Sequence, residues 1–285
     1  MEKIIPKGYS YVSIYKFAKL EIEKINFALC KQPAETLEHF YNCQEVKPDF
    51  LCNGGFFSMA TGETIFTFID DGDEVSINRN YLEGYGIKDN SFILDKYINN
   101  YADFISAYPV FMKNGEPVNS TIGSELNYNA RRTVLGYDDN YIYIIIVELP
   151  GLNYNKIKNL LKENNIPNAI NLDGGGSTRV LLKGQRETEQ VYSRPVDNVV
   201  AIYLKKEEII YRVQTGAFGL KANAEKYQSE ISKLTDTINA GYKNAYIRLM
   251  NGLYKVQVGA FSQKKNAEKV VKDLKAKGYD SFITS

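Results

Sequence analysis

The chain has 285 residues, 44% of them hydrophobic and 24% charged, with no low-complexity tract. This composition excludes disordered and fibrous proteins and predicts a globular chain that is long enough for two domains. The net charge of +1 divides unevenly, because residues 1–208 hold 22 basic and 28 acidic residues whereas residues 209–285 hold 13 and 6.

The basic tail indicates a separate module. Its excess of positive charge suits an anionic surface such as nucleic acid, membrane or cell-wall polymer. A solvated, lysine-rich helix face is the alternative explanation of the same composition.

The N-terminal segment carries no targeting signal. MEKIIPKGYS lacks the apolar core of a signal peptide, and the longest run of aliphatic residues, 144–147, is too short to cross a bilayer. We therefore expect cytoplasmic synthesis without a signal peptide and no insertion into a membrane.

The cysteines and the single histidine offer no obvious chemistry. Cys30, Cys43 and Cys52 are an odd number and form no CxxC pair, which fits neither a disulfide framework nor a zinc site and predicts free thiols. His39 lies in ETLEHFYN, a predicted amphipathic helix distant from the glycine-rich segments. A serine or cysteine triad is thereby excluded, and we expect His39 to be a surface or packing residue.

An acidic turn at Asp70, Asp71 and Asp73 offers the oxygen ligands that hard cations prefer. A solvated turn is the interpretation that we favour. A divalent metal is therefore possible but not supported by the sequence, and no organic cofactor is expected.

Two segments in the middle of the chain place polar residues at strand ends. CNGGFFSMATGE starts at Cys52 after an apolar stretch and is punctuated by Asn53 and two glycines. NARRTVLGYDDNYIYIIIVELPG places residues 131–133 at the start of one predicted strand, and the next strand ends at Glu148.

The segment AINLDGGGSTRVLL holds three consecutive glycines. A helix ended by a proline precedes it, and we predict strands at 169–172 and 179–182 on either side of the loop. The glycine spacing is not that of a dinucleotide or Walker loop. The loop instead displays Asp173, backbone amides and the hydroxyls of Ser177 and Thr178, which together can cradle an anion. We expect the glycines to let a phosphate or sugar lie against the backbone.

The tail contains an internal repeat. YRVQTGAFGLKANAEK and YKVQVGAFSQKKNAEK, 43 residues apart, are identical at eleven of sixteen positions. Each copy predicts a strand with an apolar face and with Gln214 or Gln257 on the other face, followed by a helix at 222–234 or 266–277. Short strands, AYIRLM and SFITS, close the halves. The tail therefore predicts a ferredoxin-like βαβ-βαβ unit with both helices on one side of an antiparallel sheet.

This tail resembles the SPOR domain over residues 209–285, because both copies carry its Y-x-V-Q-x-G-x-F strand and N-A-E helix start. The resemblance implies that the open sheet face binds glycan strands of peptidoglycan stripped of stem peptides, through Gln214 and Gln257. The alternative is that both glutamines only solvate an exposed sheet. No nucleic-acid partner is expected, because the open-face positions carry Arg, Gln and Lys rather than aromatic residues on which bases stack.

The segments NGGFF, RRTVLG, NLDGGGST and SRPVDN occur in this order between Asn53 and Asn198. They resemble the pattern of the phosphodiester glycosidase family, which is N-G-G-F-F, R-T-x-x-G, N-L-D-G-G-G-S-T and R-x-x-x-N. The resemblance implies cleavage between the anomeric carbon of a sugar and a phosphodiester oxygen, which leaves a phosphomonoester. The chain departs from many members after its central strand, where Glu148-Leu149-Pro150-Gly151 replaces Asp-Gly-Arg.

The arginines of these blocks suit that chemistry. A guanidinium fork matches the geometry of a phosphodiester in two parallel hydrogen bonds, so Arg132 and Arg194 are the predicted clamps. Arg131 or Arg179 could take their place. Arg132 could alternatively pair with a buried carboxylate.

Glycosyl transfer usually engages two carboxyl groups, and Asp173 and Glu148 are the candidates. Asp173 could instead cap its own turn, and Asn53 likewise. The predicted catalytic residues are Asp173, Glu148 and Arg132, and the predicted substrate-binding residues are Asn53, Gly54, Thr133, Gly174, Gly175, Gly176, Ser177, Thr178 and Arg194.

The sequence thus predicts an α+β protein, with a mixed α/β phosphodiester glycosidase domain at 1–207 and a SPOR domain at 208–285. We expect a hydrolase of sugar-1-phosphodiesters, GlcNAc-1-phosphodiester-like, that is targeted to bacterial cell-wall glycan. A non-catalytic phosphoglycan-binding protein of the wall, or an intracellular glycosidase acting on a nucleotide-like or sugar-phosphate molecule, are the alternatives. A wall-binding tail without a signal peptide predicts release on lysis, as in a bacteriophage protein, although a trimmed sequence would look the same.

Overall fold

The computed structural model describes residues 1–30, 35–80, 82–88, 91–97, 101–119, 127–189, 194–206, 209–237 and 245–284. The chain forms two compact units, Met1–Lys205 and Lys206–Ser285. The domain boundary predicted from the sequence, at residues 207 and 208, lies outside the described residues and stays a prediction.

The first unit is built mainly from antiparallel strands. In chain order they are β1 (Glu2–Ile4), β2 (Val12–Ala18), β3 (Ile22–Leu29), β4 (Phe50–Asn53), β5 (Phe68–Asp70), β6 (Asp73–Ser76), β7 (Glu83–Lys88), β8 (Ser91–Lys96), β9 (Asp103–Ser106), β10 (Val110–Lys113), β11 (Glu116–Pro117), β12 (Ala130–Tyr137), β13 (Tyr141–Leu152), β14 (Asn168–Asn171), β15 (Val180–Leu182), β16 (Gln185–Arg186) and β17 (Asn198–Leu204). The helices of this unit are α1 (Leu37–Cys43) and α2 (Tyr154–Glu163), with single 3-10 turns at Lys19–Glu21 and Gly175–Ser177.

These strands form three sheets. The largest has the order β1-β2-β13-β12-β14-β10-β11, the second β16-β15-β4-β17-β3, and the third β6-β5-β9-β7-β8. The glycine-rich loop after β14 leads to β15, so it crosses from the first sheet to the second. The prediction of a strand-to-strand loop is confirmed. The sequence did not indicate that the two strands belong to different sheets.

Strand β13 shows why the largest sheet lies in the interior of the unit. Ile144 and Ile146 pack into a core shared by all three sheets, together with Phe50 of β4. Ile145 and Val147 point to the opposite face and into a second core. A strand buried on both faces has a continuous apolar run instead of alternation, as this segment does.

The two helices cover the outer faces of the first two sheets. α2 buries Ile157 and Leu160 against the largest sheet, and the Asn153 side chain caps its first turn by accepting a hydrogen bond from the Lys156 amide. α1 buries Leu37 against the second sheet. The unit is therefore layered as helix, sheet, sheet, helix, and the α+β prediction is confirmed.

The acidic turn is the tip of the hairpin between β5 and β6, where Asp70 pairs with Asp73 and Asp71 takes a left-handed backbone conformation (φ 51°). Its carboxylates take part in backbone hydrogen bonding. Asp70 Oδ2 accepts from the Leu29 amide at 2.9 Å, and the Asp71 amide donates to Asp103 Oδ1 at 2.9 Å. The bond from Leu29 to Asp70 ties the second sheet to the third, and the bond from Asp71 to Asp103 holds the turn within the third sheet.

The second unit has strands β18 (Tyr211–Phe218), β19 (Ala245–Met250), β20 (Leu253–Phe261) and β21 (Phe282–Thr284), and helices α3 (Lys221–Thr237) and α4 (Lys264–Ala276). The antiparallel sheet has the order β19-β20-β18-β21. Val213 and Val256 face the helices in one core with Ala224 of α3 and Val270 of α4. The βαβ-βαβ prediction is confirmed. Of the helices in the described ranges, none is both long and apolar enough to span a bilayer.

Candidate functional site

The two glycine loops meet at one end of the sheets. The Asp173 amide donates to the Gly54 carbonyl at 3.1 Å, and Asn53 Nδ2 donates to the Asp173 carbonyl at 2.7 Å. Because Asn53 ends a strand of the second sheet and Asp173 follows a strand of the largest, these bonds join the two sheets. We call this region, residues 53–55 and 173–178, the glycine-loop site.

A buried polar network lies beneath the loops. Asn53 Oδ1 accepts from Thr133 Oγ1 at 2.8 Å and from the Arg179 amide at 3.3 Å, and Thr133 Oγ1 lies 3.4 Å from Thr178 Oγ1. Asn53, Thr133 and Thr178 are completely buried. The structure thus brings these three predicted substrate-binding residues together, but as an internal network that supports the loops.

Asn198, at the start of β17, fixes the first loop. Its Oδ1 accepts from the Gly55 amide at 2.6 Å, and its carbonyl accepts from the Gly54 amide at 2.9 Å. Asn198 is the last residue of the R-x-x-x-N block, and the sequence alone indicated no role for it. The signal was that spacing alone, because nothing in the sequence shows that β17 lies beside β4.

The three consecutive glycines have three different surroundings. A β-carbon on Gly174 would lie 2.8 Å from the Arg131 carbonyl, and one on Gly176 would lie 3.1 Å from Arg194 Nη1. Gly175 has a left-handed backbone (φ +58°), and a β-carbon there would meet no described atom within 4 Å. The chain itself thus occupies the β-carbon space at Gly174 and Gly176, which gives glycine a packing reason at both positions. That the three glycines make room for a ligand stays a prediction.

Asp173 is a half-buried carboxyl beside this loop. Its Oδ1 accepts from the Gly174 amide at 2.8 Å. Burial raises the pKa of the Asp173 carboxyl above its usual value, while the Ser177 hydroxyl, the Gly174 amide and the Arg194 guanidinium act in the opposite direction. A carboxyl with a raised pKa beside an accessible loop is a candidate proton donor or acceptor.

Arg194 lies next to the same loop. Its guanidinium carbon is 5.5 Å from the centre of the Phe57 ring, its Nη2 contacts Met59 Sδ, and its stem lies against Gly176. A cationic group is therefore held close enough to affect the pKa of Asp173.

Arg132 lies on the other side of Gly174. Its guanidinium carbon is 4.4 Å from the centre of the Tyr154 ring and 5.3 Å from that of Tyr128, and its Nη2 donates to the Tyr128 carbonyl at 3.1 Å. Its Cδ would lie 3.7 Å from a β-carbon on Gly174. Two aromatic rings thus hold a second guanidinium beside Gly174, on a residue that is buried.

The other two arginines are paired with carboxylates. Arg131 Nη2 donates to Glu148 Oε1 at 2.9 Å and to the Thr178 carbonyl at 3.0 Å. Arg179 Nη1 lies 2.6 Å from Glu38 Oε1 of α1. Arg131 and Arg132 have different partners, and the strand register is irregular between Ala130 and Arg132. Neither Arg131 nor Arg179 is placed as a clamp at the loop.

Glu148 is held by several hydrogen bonds. Besides Arg131, the Glu189 amide donates to its Oε1 at 2.9 Å and to its Oε2 at 3.2 Å. The predicted second catalytic carboxyl is thus used in connecting β13, the Arg131 side chain and the segment after β16.

The open face of the second unit presents a row of four side chains. Register pairs Tyr246 with Gln257, Gln257 with Gln214, and Gln214 with Phe282, one from each strand. Gln214 and Gln257 are only 6% and 2% exposed, and within the described part of the chain their Oε1 atoms have no hydrogen-bond partner. The expectation of an open face without aromatic residues is wrong at both ends of this row, because the closing strands supply Tyr246 and Phe282.

Basic side chains flank the row. Arg248 and Lys255 are direct cross-strand neighbours, and Arg212 lies opposite Thr284. In register they share the face of the glutamines. The face therefore combines positive charge with two buried amide groups.

Comparisons with known proteins agree with this geometry. The family model described as "Phosphodiester glycosidase" matches residues 48–203, and the model described as "SPOR domain" matches residues 208–285. N-acetylglucosamine-1-phosphodiester alpha-N-acetylglucosaminidase of Mus musculus is 29% identical over 161 residues, which cover 46% of this chain and 31% of that protein. The chain therefore spans about a third of the length of the curated relatives that it matches.

Two solved structures are also similar. The zebrafish N-acetylglucosamine-1-phosphodiester alpha-N-acetylglucosaminidase catalytic domain, auto-inhibited by its pro-peptide, is 17% identical with a TM-score of 0.54, covering 72% of this chain and 88% of that one. This likeness shows the fold. The peptidoglycan-binding domain of the B. subtilis cell wall lytic enzyme CwlC is 38% identical with a TM-score of 0.24, covering 28% of this chain and 96% of that one.

Proposed function

Since the chain belongs to the phosphodiester glycosidase family, we propose that its first unit hydrolyses a sugar-1-phosphodiester at the glycine-loop site. The bond between the anomeric carbon and the phosphate oxygen breaks, and the oxygen of water adds to the anomeric carbon. The products are the free sugar and a phosphomonoester, and the proton lost by water passes to a base at the site.

The observation that carries the proposal is the placement of both groups at the glycine loop, where Asp173 Oδ1 accepts from the Gly174 amide and Arg194 lies against Gly176. A phosphodiester brings one negative charge, which a guanidinium binds well. Asp173 has a raised pKa and lies within reach of that charge. We assign Asp173 as the catalytic acid-base group and Arg194 and Arg132 as the groups that hold the phosphate.

We give the remaining predicted residues supporting roles. The Glu148 carboxylate already accepts hydrogen bonds from Arg131 and the Glu189 amide, so we assign it to positioning the loop ends instead of proton transfer. Asn53 and Thr133 hold the two loops together from beneath.

For the second unit we propose binding to glycan strands of peptidoglycan, which would place the enzyme at the cell wall. Support comes from the row centred on Gln214 and Gln257, whose side-chain oxygens are buried and have no hydrogen-bond partner in the described residues. Amide groups flanked by Tyr246 and Phe282 suit sugar hydroxyls and sugar ring faces. The substrate is then a phosphodiester-linked glycopolymer of the wall, or its sugar-phosphodiester substituents.

The test is the release of phosphomonoester from GlcNAc-1-phosphodiesters, followed by phosphorus NMR with the full chain. We expect turnover by the wild type, loss of turnover in Asp173→Ala and Arg132→Ala, and full turnover in Glu163→Gln, an exposed position at the end of α2. If the wild type releases no phosphomonoester from a panel of such diesters, the proposed reaction is rejected. If Asp173→Ala keeps full activity, its assigned role is rejected.

A further inference from the structure

Three side chains of different chemistry lie together at helix α1. His39 and Cys43 are four residues apart on the helix, which places them on the same side, and Glu35 lies just before the helix cap, Thr36. One ligand atom from each lies within 4.8 Å of the other two. Glu35 Oε2 contacts His39 Nδ1, and Cys43 Sγ lies 3.9 Å from the same nitrogen.

These separations are close to those of ligands that share one metal ion. A tetrahedral zinc site with Zn–S of about 2.3 Å and Zn–N of about 2.0–2.1 Å places sulfur and nitrogen roughly 3.6 Å apart. A thiolate, an imidazole and a carboxylate together favour zinc-type ions over magnesium or calcium, which prefer oxygen ligands alone. We propose that Glu35, His39 and Cys43 form a binding site for a divalent transition-metal ion, for which Zn²⁺ is the natural occupant.

The three side chains differ in accessibility in a way that suits such a site. The His39 side chain is 62% exposed and that of Glu35 only 9% exposed, while Cys43 is exposed. An ion can therefore reach the site from solvent and bind the Glu35 carboxylate, which His39 already holds in place. Cys30 and Cys52 are buried, and burial raises the pKa of both thiols, so they do not compete for the ion.

The site lies next to elements that support the glycine loops. Glu38 of the same helix pairs with Arg179, whose amide donates to Asn53. The Glu35 backbone exchanges hydrogen bonds with Val196, at 2.9 and 3.2 Å. A helix of seven residues is marginal by itself, so an ion that binds its surface would stabilise the first unit by mass action.

The experiment uses the full chain and Co²⁺ as a spectroscopic probe, because thiolate ligation to Co²⁺ gives a charge-transfer absorption that carboxylate and imidazole ligation do not. We expect one Co²⁺ per chain with this absorption, its displacement by Zn²⁺, and an increase in Tm with Zn²⁺. Cys43→Ser should abolish the absorption, and His39→Gln and Glu35→Gln should each weaken Zn²⁺ binding at least tenfold. Glu45→Gln, an exposed acid just beyond the helix, is the matched control and should bind as the wild type does.

A second measurement avoids dependence on how the variants fold. In the wild type, Zn²⁺ should slow alkylation of Cys43 by a thiol reagent. Absence of the absorption, its persistence in Cys43→Ser, or alkylation at an unchanged rate would overturn the proposal. In that case Glu35 and His39 form a simple hydrogen-bonded pair.

Discussion

The side-chain oxygen of Asn198 occupies the space that a β-carbon on Gly54 would need. The same oxygen accepts the hydrogen bond of the Gly55 amide at 2.6 Å. Glycine at position 54 is therefore required by a neighbouring strand. The start of β17 and the loop after β4 therefore pack against each other and are joined by hydrogen bonds.

This contact predicts the effect of Gly54→Ala. The added methyl group must displace Asn198 and break its hydrogen bond to Gly55, at a cost of about 1–3 kcal/mol. We expect Tm to fall by roughly 2–4 °C for each kcal/mol and activity to fall with it. Gly219→Ala, where an added β-carbon meets nothing within 4 Å, is the control and should leave Tm within a degree or so of the wild type. Equal Tm values for the two variants would contradict the packing described here.

Asp173→Asn separates activity from stability. Loss of the acid-base group should reduce the turnover of the phosphodiester by about 10²–10⁴-fold. The amide keeps an oxygen that can accept from Gly174, but it avoids the cost of burying a charge. Because the pKa of Asp173 is raised in the folded state, the folded protein holds this proton more tightly than the unfolded chain does.

The sign of the pH effect follows from that difference. The contribution of Asp173 to stability is full below the usual pKa of 3.8 and is lost as the pH rises through the higher pKa of the folded state. We therefore expect the Tm of Asp173→Asn to exceed that of the wild type at neutral pH, by a margin that shrinks on acidification. A margin that does not change with pH would refute the raised pKa.

The Arg131–Glu148 pair should be energetically coupled. Both side chains are mostly buried, at 11% and 16% exposed, so removal of one partner leaves the other poorly solvated. A double-mutant cycle with Arg131→Met and Glu148→Gln should give a coupling energy of about 1–3 kcal/mol from denaturant unfolding. The exposed pair Lys221–Glu225 should give less than about 1 kcal/mol. Similar couplings for both pairs would indicate that Glu148 is free for another role.

Substitution of the buried glutamines should weaken glycan binding without loss of stability. In Gln257→Met the side chain keeps its size, and an oxygen without a partner in the described residues is removed. We expect the Tm of the second unit to be unchanged or higher, and sedimentation with peptidoglycan to fall at least tenfold. Gln263→Ala, at an exposed glutamine before α4, should sediment as the wild type does. Unchanged sedimentation of Gln257→Met would exclude this row as the binding surface.

The thiols should differ sharply in reactivity. Cys43 is exposed, whereas burial of Cys30 and Cys52 raises the pKa of their thiols and limits access. A colorimetric thiol reagent should modify one of the three cysteines quickly in the native protein without added metal, and all three after unfolding. Rapid reaction of two or more in the native state would contradict the burial of β4 and of the end of β3.

The sequence predicted repeated units well and contacts between distant segments poorly. Duplication in the tail revealed the strands around Gln214 and Gln257, because local patterns repeat at a fixed distance. It did not reveal Tyr246 or Phe282, whose faces depend on the register of short closing strands.

In the first unit, too, local motifs were predicted from the sequence and contacts between distant segments were not. The motif blocks identified Asp173 and Arg194 as candidates, since both lie within short local patterns. The burial of Asn53 and the pairing of Arg131 with Glu148 depend on which strands become neighbours and on an irregularity in register between Ala130 and Arg132. Local periodicity contains no information on either.

The hydrogen bond from the Asp173 amide to the Gly54 carbonyl means that the site also holds two sheets together. This bond joins the largest sheet to the second sheet. The amide proton of Asp173 can therefore exchange with solvent only when these two sheets separate. Its exchange rate would report the opening of the whole first unit instead of the motion of a loop. The residues that we assign to catalysis would then keep their geometry for as long as the unit stays folded.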